Sequence, residues 1–133
     1  MDDMYREYIL DHAKNQRNQG ILDPADIDHE ASNPLCGDRL RLTLRVDGNR
    51  CITQIGWDGE GCAISQAAAS LLGEQILGKS LGDVQNITRD DIIALIGIPL
   101  TMNRMKCALL SLKVLCEGVY GSAYWQRKEE DEE

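Results

Sequence analysis

The sequence predicts an α+β domain, with helices packed on one face of a small antiparallel sheet of about three strands. Three observations point there. Between residues 39 and 46, Leu40, Leu42, Leu44 and Val46 alternate with Arg39, Arg41, Thr43 and Arg45, the period-two pattern of a strand covered on one side. Asp47-Gly48-Asn49 then marks a turn and residues 50–57 resume extended patterning, so the two runs make a hairpin. On both sides of that hairpin apolar residues recur at three- and four-residue spacing, the period of a helix.

The elements follow in chain order. Residues 3–15 read as a helix whose apolar stripe is Met4, Tyr5, Tyr8, Ile9 and His12, closed by Gly20 and Pro24. A strand candidate at 27–31 supplies the third strand. After the hairpin, residues 64–77 are rich in Ala and Leu and form a helix in spite of Gly73, stopped at Gly78-Lys79-Ser80. Thr88-Arg89-Asp90-Asp91 is an N-cap followed by acids in the first turn, opening a short helix that Gly97 and Pro99 end. The last helix spans 103–120, with Met105, Leu109, Leu112 and Leu115 or Cys116 inward. Residues 1–121 are therefore expected to be one domain, and 122–133 a flexible acidic tail.

Composition narrows the function. With 133 residues, 43% of them hydrophobic, the chain can build one core without disulfide staples. Phe is absent, which leaves Leu, Ile, Val, Ala and Met to fill it. Net charge is -8, and the acids at 129–133 supply most of it. An acidic balance argues against nucleic-acid or anionic-membrane partners, both of which select basic faces. Arg39, Arg41, Arg45 and Arg50 read as a solvated sheet face. The five cysteines and the acidic start, Met1-Asp2-Asp3, point to a cytoplasmic protein whose thiols bind metal or react.

Three of the cysteines stand in distinctive company. Asn33-Pro34-Leu35-Cys36-Gly37-Asp38 puts a thiol and a carboxylate two residues apart at the head of a strand. Cys62, in Gly59-Glu60-Gly61-Cys62-Ala63-Ile64-Ser65, and Cys107, in Arg104-Met105-Lys106-Cys107-Ala108, lie where loops turn into helices, so backbone N–H groups favour the thiolate. Together Cys36, Asp38, Cys62 and Cys107 would form a three-thiolate, one-carboxylate set suited to zinc, ferrous iron or an iron–sulfur cluster. Asp38, a hard oxygen among soft sulfurs, is the ligand most easily displaced. Cys51 and Cys116 read as small buried apolar residues, His12 as packed, and His29 as solvated.

These three motifs, in this order, resemble the IscU/SufU (NifU N-terminal) family of iron–sulfur assembly proteins, and the likeness runs from Tyr5-Arg6 to Gly118. The resemblance implies a scaffold that accepts persulfide sulfur from a cysteine desulfurase at Cys36 or Cys107. It would bind iron, build a transient cluster of the 2Fe-2S kind, and pass it to downstream iron–sulfur acceptor proteins. Gly37 and Gly61 would donate N–H bonds to sulfur, and Arg104 and Lys106 would offset thiolate charge. The alternative within the same family is a zinc-dependent sulfurtransferase. Lys106 stands where the IscU branch usually has a histidine, and Ile98-Pro99-Leu100-Thr101-Met102 replaces that branch's chaperone-binding motif. Residues 78–101 are, in turn, too few for the insertion usual in the SufU branch, so both readings stand.

Overall fold

The computed structural model describes residues 3–33 and 37–131. Its elements are α1 (Asp3–Lys14), β1 (Ile27–Asn33), β2 (Asp38–Val46), β3 (Ile52–Glu60), α2 (Ala63–Ile76), a 3-10 turn (Leu81–Asn86), α3 (Arg89–Ile96), α4 (Met102–Tyr120) and α5 (Ser122–Asp131). The strands form one antiparallel sheet in the order β1-β2-β3. No described helix is long and apolar enough to cross a membrane.

Alternation in β2 sends Leu40, Leu42 and Leu44 into the core, where none is exposed. In register, Leu42 faces Trp57 and Leu44 faces Ile55 on β3, so these side chains line one surface. A bulge at Arg45/Val46 places one extra residue in β3 and keeps Ile52 on the same face as Ile55, three residues away. Helix α4 covers β1 and β2, α2 covers β3, and α1 and α5 pack outside them on α2 and α4. Gly73 interrupts the helix-forming run of α2 because a Cβ there would sit 2.9 Å from Trp57 Nε1. Thr88 and Asp91 form a reciprocal capping box at the start of α3, and Gly97 ends it in the left-handed conformation, φ 75°.

Four local expectations are corrected. Residues 122–131 form helix α5 rather than a flexible tail, since Trp125 is buried in the core cluster and Lys128 Nζ donates to the Gln85 carbonyl. Thr43, expected on the open face, is buried, because the segment after α1 crosses that face. There Leu22 N–H donates to Thr43 Oγ1 at 3.0 Å, and the Thr43 hydroxyl donates to the Gly56 carbonyl at 2.9 Å. His29 is half-buried rather than solvated, with Nε2 3.0 Å from Glu117 Oε1 across the β1–α4 contact. Cys51 is half-exposed, its Sγ 4.0 Å from the Asn49 carbonyl, whereas Cys116 is fully buried as expected. On the open face Arg41 grips both carboxylate oxygens of Asp28, at 2.9 and 2.7 Å, and holds that carboxyl below its ordinary range.

His12 ties α1 to α2. It is 3% exposed, with Nδ1 2.8 Å from Ser70 Oγ and 3.8 Å from Glu74. Burial disfavours its charged form, and Arg17 adds to this, so its pKa lies below the ordinary 6.5. Below that ordinary value the unfolded chain therefore binds more protons than the folded one. Stability from this site is complete above about pH 6.5 and falls as the pH drops towards the folded pKa. Urea midpoints of metal-free protein at pH 7.5 and 5.5 should differ more for the wild type than for His12→Gln; equal differences would contradict this origin.

Candidate metal centre

Asp38 opens β2 and shares the inward parity of Leu40, which makes it a carboxylate at the end of the core with no exposed surface. It pairs in register with Asn33, and Gly37, at φ 70°, closes the connection by donating its N–H to the Asn33 carbonyl at 3.0 Å. Such a carboxylate needs a donor. The Cys62 amide supplies one, 2.9 Å from Oδ1, leaving Oδ2 turned to Cys62 Sγ at 3.9 Å.

Cys62 is the N-cap of α2, two residues beyond the end of β3, and its side chain makes no capping bond. Its thiol is thus left to the site, beside the N-terminus of α2. Gly61 is required by contact: a Cβ there would collide with Asp38 Oδ1 and lie 2.6 Å from Ser65 Oγ. Cys107 comes from the second turn of α4 and has no exposed surface. One ligand atom each from Asp38, Cys62 and Cys107 lie within 4.8 Å of one another.

That spacing fits a metal. Tetrahedral zinc with Zn–S bonds of about 2.3 Å holds its sulfurs roughly 3.8 Å apart, so a small contraction closes the set. Two thiols and one carboxylate oxygen are also a donor combination that zinc or iron accepts. The fourth expected ligand, Cys36, lies outside the described residues.

Gly37 donates its N–H to the Asn33 carbonyl. Lys106 and Arg104 are exposed on the opening turns of α4, and no ion pair joins Lys106 to Asp38 among the described residues. The Arg104 backbone N–H caps on Thr101 Oγ1 at 3.3 Å. Ser65 was not expected here. It is fully buried, its hydroxyl donates to the Cys62 carbonyl at 3.0 Å, and Oγ lies 4.0 Å from Cys62 Sγ. Its place three residues after a helix-capping cysteine was the available signal.

A three-stranded antiparallel sheet backed by helices, with thiols and a buried carboxylate gathered where β2, α2 and α4 meet, defines a small α+β protein of the thiolate metal-site class. The chain belongs to the NifU-like N terminal domain family, whose model matches residues 4–131. It is 38% identical over 136 aligned residues to a zinc-dependent sulfurtransferase SufU of Bacillus subtilis, covering 90% of this chain and 91% of that protein. It is 35% identical over 113 residues to the iron–sulfur cluster assembly scaffold protein IscU 1 of Archaeoglobus fulgidus, covering 84% and 72%. Among solved structures, an iron–sulfur cluster assembly scaffold protein for the SUF system from Fervidobacterium islandicum AW-1 superposes with a TM-score of 0.72 at 28% identity. That match covers 90% of this chain and 99% of the other.

Proposed function

We propose that this protein is a cytoplasmic iron–sulfur cluster assembly scaffold, which accepts sulfur from a cysteine desulfurase and assembles a cluster at Cys36, Asp38, Cys62 and Cys107. The convergence of Asp38, Cys62 and Cys107 within 4.8 Å carries this reading. In the transfer step an acceptor thiolate attacks the outer sulfur of the desulfurase persulfide; a new S–S bond forms, the old one breaks, and the partner's cysteine leaves as thiolate. Cys36 is the acceptor we favour. Cys107, the other candidate, is fully buried and is reachable only once the ligand set opens. Each sulfane sulfur then needs two electrons to become sulfide, which an external dithiol or electron carrier provides. The finished cluster, of the 2Fe-2S kind, is cargo for downstream iron–sulfur proteins.

The second reading, a zinc-dependent sulfurtransferase, is favoured by the 38% identity to the Bacillus protein across nearly its whole length. Zinc, where resident, would hold the thiolates deprotonated at neutral pH. In either reading Asp38 has one oxygen anchored by the Cys62 amide and one oxygen to offer. Were a metal held there, Asp38 could release it through that oxygen while the carboxylate stayed in place, leaving a position for sulfur.

Anaerobic purification, metal stoichiometry, and visible spectra with ferrous iron, cysteine and a desulfurase decide between them. A scaffold is expected to develop sulfide-dependent iron–sulfur absorption. One tightly held zinc with no such bands would instead establish the sulfurtransferase.

A further inference from the structure

We propose that the pocket between α2 and α3 binds a small zwitterion with an apolar body, the chemical class of a free amino acid with a hydrocarbon side chain. The pocket measures about 310 Å3. That is the lower end of the range of ligand sites, about 300–1,000 Å3, so its occupant is small. Leu72, Ile87 and Leu95 line it with hydrocarbon, and Gln75, Lys79 and Asp91 supply the polar groups. Leu72 belongs to the core and Ile87 and Leu95 pack against that core, which holds the apolar lining in place.

The two charges are opposite and come from different elements. Lys79 follows the end of α2 on a fixed backbone: its N–H donates to the Ile76 carbonyl at 3.0 Å, and its carbonyl accepts the Ile52 N–H at 2.8 Å. Asp91 stands in the first turn of α3, where Oδ2 accepts the Thr88 N–H at 2.9 Å; this orients the carboxylate and leaves Oδ1 for a ligand. Neither Lys79 nor Asp91 is ion-paired among the described residues. A simple anion would suit Lys79 and be repelled by Asp91, and a simple cation the reverse. A carboxylate and an ammonium on one molecule satisfy both, while its hydrocarbon covers Leu72, Ile87 and Leu95. Leu72 lies about three turns of α2 beyond Cys62. The pocket shares no residue with the candidate metal centre, and its occupancy does not depend on the function proposed above.

The probe is L-leucine, titrated into the full-length, isotope-labelled protein and followed through the backbone amide resonances. Saturable shifts are expected in residues 72–79 and 87–95, the segments that carry the lining. Isocaproate, which is leucine without its ammonium, and isoamylamine, which is leucine without its carboxylate, are each expected to bind about tenfold more weakly, the size of one hydrogen bond to a charged group. Lys79→Met should lower the affinity for leucine to that of the amine. Asp91→Asn, whose side-chain oxygen can still accept the Thr88 N–H, should lower it to that of the carboxylate. If a variant does not fold, the three ligands on the wild-type protein decide alone. Equal binding of all three would mean an apolar crevice that reads no charge, and it overturns the proposal. So does an unchanged affinity for leucine in either variant, or the absence of saturable shifts up to the solubility limit of leucine. Shifts of the same amides on raising the protein concentration alone would put a second copy of the chain in the pocket, and they overturn it as well.

Discussion

Cys107→Ser is expected to lower zinc affinity by more than about 100-fold, beyond what losing a residue that merely supports a ligand costs, and to abolish sulfide-dependent absorption. The sulfur comes from the second turn of α4, which its packing on β1 and β2 fixes in place. A hydroxyl in its place is a poor ligand that keeps its proton at neutral pH. Cys116 is the control. It is as deeply buried on the same helix, but about two and a half turns further on, and therefore on the opposite side. Cys116→Ala should keep metal binding within a few-fold of the wild type, by competition with a chromophoric chelator. Equal loss in both variants would mean that the helix, not the ligand, had failed.

Gly56→Ala is expected to destabilise the fold by roughly 3 kcal/mol, the upper end of overpacking costs, lowering Tm by on the order of 10 °C. The added Cβ would collide with the Gly20 carbonyl and lie 2.8 Å from Thr43 Oγ1. Backbone cannot yield as a side-chain tip does. The chain after α1 would have to leave β3, giving up the bonds from Gly20 N–H to the Trp57 carbonyl at 2.7 Å and from Trp57 N–H to the Asn18 carbonyl at 2.8 Å. Gly48→Ala, where nothing lies within 4 Å, should change stability by less than about 0.5 kcal/mol. Thermal melts of the two variants separate a packing requirement from a general intolerance of glycine replacement.

Much of this architecture was legible in the sequence because local patterns dictate it. Alternating leucines in β2 can face only one way, and Thr88 with Asp91 caps a helix whatever surrounds it. What escaped was decided at a distance. Thr43 alternates as an outward residue, and only the crossing of residues 18–22 buries it. Residues 122–131 are strongly charged, and a single Trp125 finding the core turns them into a packed helix. His29 has nothing beside it in sequence that foretells Glu117. At the candidate metal centre, Cys36 and Cys62 stood out through their flanking glycines and Cys107 through the run Arg104-Met105-Lys106-Cys107-Ala108. Ser65 did not, because a serine in the first turn of a helix is commonplace, and only its closeness to Cys62 and Gly61 places it at the site.

The segment after α1 also guards an edge of the sheet. Gln19 makes an isolated parallel bridge to Trp57, and the hydrogen bonds of Gly20 and Asn18 to Trp57 cover the outer rim of β3 at that point. The opposite rim, β1, displays Asp28 and Glu30. A small sheet with bare rims invites another copy to add a strand and start a stack, and self-pairing on one side with charge on the other are the usual defences. In the function proposed above, a metal-holding end that loosens in front of other proteins would sit on a sheet whose rims are guarded, so that handing over cargo would not become a route to aggregation.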